Sequence, residues 1–104
     1  MQIQVNTDNN IHGREDVIRF VETTVNSKLG AVSEHLTRVE VHISDENAHK
    51  GGKDKRCLVE ARPRGRDPLA ATHTGETIQN AVIGALDKIR NALDSELGKL
   101  KRHR

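Results

Sequence analysis

Seven basic residues fall between positions 50 and 66: Lys50, Lys53, Lys55, Arg56, Arg62, Arg64 and Arg66, opposed only by Asp54 and Glu60. Clustered arginines suit phosphate, because each guanidinium fork donates two hydrogen bonds at once. The same residues also suit a solubilising hairpin that keeps its strands from pairing with neighbours. A second set lies near the end of the chain, where Lys88, Asn91, Ser95, Lys99 and Arg102 fall on one flank of a helical pattern, with no acid among them. Glu76, Asp87 and Asp94 fall on the far side. A helix sorted in this way presents a cationic or neutral ridge that can lie along a phosphate backbone.

Other chemistry is poorly supported. The six histidines, His12, His35, His42, His49, His73 and His103, contain no His-x-His or His-x-x-x-His pair, and Cys57 is the only cysteine. This is the distribution of scattered surface histidines, and no metal or other cofactor is expected. Cys57 falls mid-strand on an inward face, where a thiol is inert packing. Gly51-Gly52 lacks the further glycine and following helix of a phosphate loop. The carboxylate pairs Glu15/Asp16 and Asp45/Glu46 sit in a helix start and a loop, with nothing to bury them or raise a pKa. The expectation is a protein that is not an enzyme and has no small-molecule substrate.

Composition narrows the partners. Apolar residues make up 34% of the 104 residues, enough for one small aliphatic core. Phe20 is the only aromatic residue, so no platform exists for stacking bases, and any nucleic acid would be held by backbone and shape. Charge is uneven: residues 1–52 carry five Lys/Arg against eight Asp/Glu, a net of −3, and residues 53–104 carry twelve against seven, a net of +5. The basic excess belongs to the second half. No apolar run reaches the length of a membrane span or signal-peptide core, and a single cysteine fits a reducing compartment. The expected location is therefore the cytoplasm, with no membrane partner.

The elements that would position these groups follow from periodicity. Gln2–Asn6 alternates as a short strand, and Thr7-Asp8-Asn9-Asn10 is turn chemistry. From Arg14 to Val32 the apolar residues Val17, Ile18, Val21, Val25 and Leu29 share one side of a helix. Its first turn holds Glu15 and Asp16, where the dipole favours them, and Gly30 marks its end. Thr37–Ser44 alternates with Val39, Val41 and Ile43 inward and Arg38, Glu40 and His42 outward. Asp45–Asp54 reads as a polar hairpin loop. Lys55–Arg62 is a third strand with Cys57, Val59 and Ala61 inward and Arg56, Leu58, Glu60 and Arg62 outward; Pro63–Pro68 is a turn and Leu69–Thr74 a short fourth strand. Glu76–Arg102 is a long helix with its stripe at Ile78, Val82, Ala85, Ile89, Leu93 and Leu100.

The order strand–helix–three strands–helix predicts an α+β fold: a four-stranded mixed sheet with both helices on one face and the other face wet. The first helix serves as a crossover that makes the first two strands parallel, and the rest form an antiparallel meander. One domain over residues 1–104 is expected.

This pattern resembles the short ribosome hibernation-promoting factors and ribosome-associated translation inhibitors of bacteria. The residues that carry the likeness are Met1-Gln2-Ile3, Asn9-Asn10, Ile18-Arg19-Phe20-Val21, Lys28-Leu29, Leu36-Thr37-Arg38-Val39-Glu40-Val41, Asn80-Ala81-Val82-Ile83, Asp87-Lys88-Ile89 and Lys99-Leu100-Lys101. The resemblance implies a cytoplasmic protein that binds the small ribosomal subunit and whole ribosome. Binding is in the channel between head and body where mRNA and tRNA would sit, and it silences translation in starved or stationary-phase cells. It implies contacts to ribosomal RNA through Lys28, Lys88, Lys99 and Lys101, with Arg19 in the matching segment of the first helix. To these the chain's own pattern adds Arg56, Arg62, Arg64, Arg66 and Arg102. Two departures stand out. The flank of the last helix, usually basic along its length, here holds Asn91 and Ser95, whereas the arginines at 56, 62, 64 and 66 are richer than the family pattern. Long family members carry a further domain that pairs ribosomes, so pairing by this chain would need a separate dimerising factor. Two alternatives keep the same fold: a module for structured RNA or DNA off the ribosome, using the arginine hairpin, and a protein–protein regulator of a stress component, its charges serving only solubility.

Overall fold

The computed structural model describes residues 1–45 and 54–102, with side chains as far as Gly98 in the last helix. The strands are β1 (Gln2–Thr7), β2 (Leu36–Asp45), β3 (Lys55–Pro63) and β4 (Leu69–Gly75), and the helices are α1 (Arg14–Leu29) and α2 (Ile78–Arg102). The sheet runs in the order β1-β2-β3-β4, with β1 parallel to β2 and the remaining pairs antiparallel. This is the expected mixed sheet of an α+β fold. The hairpin loop expected over Asp45–Asp54 lies, from 46 to 53, outside the described residues.

Alternation decides which face each side chain takes. Val39, Val41, Ile43, Cys57, Val59 and Ala61 are buried, while Arg56 and Arg62 are exposed. α2 packs across β3 and β4 and also touches α1. It is buried at Ala81, Val82, Ala85, Leu86, Ile89 and Leu93; of the expected stripe Ile78 is only half-buried, and the side chain of Leu100 lies outside the described residues. Phe20 is only half-buried, packed against the edge of the core.

Two helix boundaries differ from the sequence reading. α1 stops at Leu29, and the chain tightens into a 3-10 helix over Gly30–His35. Gly30 has φ −55°, right-handed like any helical residue, so it does not terminate α1 as a left-handed cap. Gly13, at φ 68°, supplies that conformation instead, at the start of α1. α2 begins at Ile78 rather than Glu76, because Thr77 caps it. The Thr77 hydroxyl accepts from the Asn80 N–H at 3.0 Å, and its carbonyl accepts from Ala81 N–H at 3.0 Å.

Candidate nucleic-acid interface

The basic residues that are dense in sequence are divided in space. Arg56 stands opposite Ser44 and Thr74, near one end of the open sheet face. Arg62 stands opposite Arg38, six residues further along β3, a separation of about 20 Å at strand rise. Neither forms an ion pair with a described residue. Between them the open face carries the cross-strand pair Glu40–Glu60, so an acidic band interrupts the basic track.

Arg62 belongs to a basic end of the molecule. The β3–β4 turn continues with Arg64, whose N–H donates to the His35 carbonyl at 2.8 Å and whose Nε donates to the Glu34 carbonyl at 3.0 Å. These bonds pin the turn to the 3-10 helix. Arg66 reaches α2 and pairs with Glu96 at 2.5 Å. The contact places the turn beside the last turns of α2, where positions 99–102 follow. The side chains of Lys99, Lys101 and Arg102 lie outside the described residues, as do Lys50 and Lys53. Arg62 and Arg64 are thus exposed cations at the end towards which the lysine-rich terminus of α2 runs.

The helical lysines are not equivalent. Lys88 lies on the β4 side of α2, exposed, with its Nζ donating to the Thr72 carbonyl at 3.0 Å. It covers one carbonyl of the edge strand, a group that would otherwise invite another strand. Lys28 faces the seam between the helices and pairs with Asp87 at 2.7 Å. Arg90 closes the same seam by donating to the Lys28 carbonyl at 2.8 Å and pairing with Asp94 at 2.8 Å. Arg19 pairs with Asp16 at 3.0 Å on the exposed side of α1. Sequence spacing put Asp87 and Asp94 on the far side of α2 from Lys88, and there they are, but spacing alone did not reveal that Asp87 neutralises Lys28.

The family model for sigma 54 modulation protein / S30EA ribosomal protein matches residues 5–101. The chain belongs to this family. Two solved structures share the S30EA fold with it. A ribosomal subunit interface protein from Coxiella burnetii superposes with TM-score 0.70 at 12% identity, covering 94% of this chain and 99% of its own. The Thermus thermophilus Protein Y N-terminal domain superposes with TM-score 0.69 at 15% identity, covering both chains completely. No curated protein sequence matches the chain. As an S30EA chain it joins a family of ribosome-associated proteins rather than enzymes, and among the described residues no helix is long and apolar enough to cross a membrane.

Cys57 is a buried free thiol, and burial pushes its pKa up to about 12. A thiol so far from ionisation is no nucleophile at neutral pH.

Proposed function

We propose that this S30EA chain is a cytoplasmic stress or stationary-phase factor that binds the small ribosomal subunit and whole ribosomes, and inhibits translation by occupying the channel used by mRNA and tRNA. Family membership over nearly the whole chain carries the reading, and the cationic end formed by Arg62, Arg64 and the terminus of α2 supplies the means. Inhibition by occupancy needs no active site. It needs a folded wedge whose surface holds ribosomal RNA phosphates, with Lys88, Lys99, Lys101, Arg102, Arg62 and Arg64 as the principal contacts. Lys28, Arg19 and Arg66 act after exchanging an intramolecular carboxylate for phosphate, whereas Arg56, beyond the Glu40–Glu60 pair at the opposite end of the open face, lies off this track.

The test is co-sedimentation of the purified protein with ribosomes and separated subunits through sucrose gradients. Stoichiometric comigration with the small subunit or whole ribosome, weakened by salt and by Lys88→Glu, is expected. Absence from every ribosomal peak at low salt overturns the proposal.

One observation favours a second reading, a structured-RNA module off the ribosome. The middle of the α2 flank offers Asn91 and Ser95, whereas Arg62 and Arg64 are exposed. That reading requires Arg62→Ala with Arg64→Ala to abolish RNA binding while Lys88→Ala with Lys99→Ala does little, and it fails if the ranking is reversed.

A further inference from the structure

The open face of the sheet carries a group of side chains that sequence spacing does not bring together. Glu40 on β2 stands directly opposite Glu60 on β3, and His42 follows two residues along β2 on the same face. One carboxylate oxygen from each glutamate and one imidazole nitrogen lie within 4.8 Å of one another. The side chains are 19%, 31% and 38% exposed, partly withdrawn from solvent yet open to it. Like charges directly across a strand pair are unfavourable. Arg38 relieves only one of them, pairing with Glu40 at 2.8 Å, while Glu60 has His42 Nε2 at 3.9 Å.

We propose that Glu40, His42 and Glu60 form a binding site for a divalent transition metal of the zinc class. The donor set is one imidazole nitrogen and two carboxylate oxygens, which suits a borderline ion. Two carboxylates are too few oxygens for calcium, which takes six to eight. Tetrahedral zinc with bonds of about 2.0–2.2 Å holds its ligands about 3.4 Å apart, a contraction that rotation of three partly exposed side chains accomplishes. Three protein ligands leave a fourth position for water on the solvent side.

A second layer of residues is placed to accompany the ion. Asn6 on β1 meets the other ring nitrogen, its Nδ2 lying 3.3 Å from His42 Nδ1. Gln4 Nε2 donates to Asn6 Oδ1 at 3.4 Å, and Arg38 donates to Gln4 Oε1. With the Asn6 amide turned this way, the neutral tautomer that fits has Nδ1 accepting and Nε2 carrying the hydrogen on the side of Glu60, 3.9 Å away. When Nε2 ligates a metal, the hydrogen moves to Nδ1. The Asn6 amide then turns to accept it through Oδ1, and the Gln4 amide turns in step. Arg38 is released as Glu40 exchanges it for the ion. Arg38 is therefore the competitor of the metal and Asn6 its orienting partner.

Zinc chloride titrated calorimetrically into the full chain tests the site, with the histidine ring resonances followed by NMR. One equivalent is expected to bind, with the His42 ring signals shifting and those of His12, His35 and His73 unmoved. His42→Gln and Glu60→Gln should each weaken binding at least about tenfold, and Arg38→Gln should strengthen it several-fold. Equal zinc binding by the wild type and His42→Gln overturns the proposal, since the ion would then sit on scattered histidines. So does a wild type whose His42 signals stay fixed at millimolar zinc, a result that needs no variant to fold.

Discussion

Cys57 shows at the residue scale how one position in a pattern becomes a physical property. It alternates with Arg56 and Leu58, falls on the inner face of β3 and is fully covered. Burial in apolar surroundings disfavours the thiolate and raises the pKa from 9.0 to about 12. The sign of the linkage follows. The folded state keeps the proton above pH 9.0 while the unfolded chain releases it. The stability this group contributes is thus complete below 9.0 and is lost as pH rises towards 12. In urea unfolding across that interval, the advantage of wild type over Cys57→Ala is expected to narrow; an advantage that stays constant to pH 12 would contradict it. At neutral pH the native thiol should resist alkylation and react only on unfolding. The inward position of Cys57 is legible from alternation alone, because a strand allows only two choices of face. The grouping of Glu40, His42 and Glu60 is not, because Glu60 joins the others only through the register of β2 on β3.

At the scale of elements, the strand order and both helices follow from periodicity, and the misjudged details have local causes. α1 does end at Gly30, but without the left-handed cap a glycine stop usually supplies, because the chain tightens there into a 3-10 turn. Ala81 and Leu86 lie outside a single-stripe reading of α2, because α2 is buried on two sides, against the sheet and against α1. Gly84 is the other feature hidden from sequence. The His73 ring, on the inner face of β4, packs so closely on α2 that a Cβ at position 84 would overlap it. Alanine gains up to about 1 kcal/mol over glycine in a helix, whereas overpacking costs about 1–3 kcal/mol. The clash runs along the Cγ–Cδ2–Nε2 edge of the ring, so relief requires the whole His73 side chain to change its rotamer or α2 to shift. Gly84→Ala is therefore expected to destabilise the protein by about 1–2 kcal/mol in urea unfolding, and His73→Ala should remove the penalty. A stabilised Gly84→Ala would mean that the α2–β4 contact is looser than its geometry.

For the whole molecule the question is where a polyanion can lie. A net charge of +2 gives little overall pull, so affinity depends on which cations are uncompensated where RNA touches. Lys28, Arg19, Lys55, Arg66 and Arg90 each have a carboxylate partner within the chain. Arg62 and Arg64 are exposed without one among the described residues, at the end where the α2 terminus adds Lys99, Lys101 and Arg102. Arg56 is exposed at the other end, beyond the Glu40–Glu60 band. A phosphate backbone crossing the sheet from Arg56 to Arg62 would pass over two carboxylates, so the favourable track runs along the α2 flank to the Arg62 end and leaves Arg56 aside. Each phosphate-bound cation contributes about 0.7–0.9 to the slope of log affinity against log salt. Arg62→Ala with Arg64→Ala is therefore expected to flatten that slope by about 1.4–1.8 in ribosome pelleting across a salt series. Arg56→Ala should change it by less than about 0.5, since on the proposed track that side chain meets no phosphate. Should Arg56→Ala flatten the slope as much as the pair does per residue, the backbone must cross the open face after all, with Glu40 and Glu60 neutralised by a proton, a cation or their arginine neighbour before it can do so.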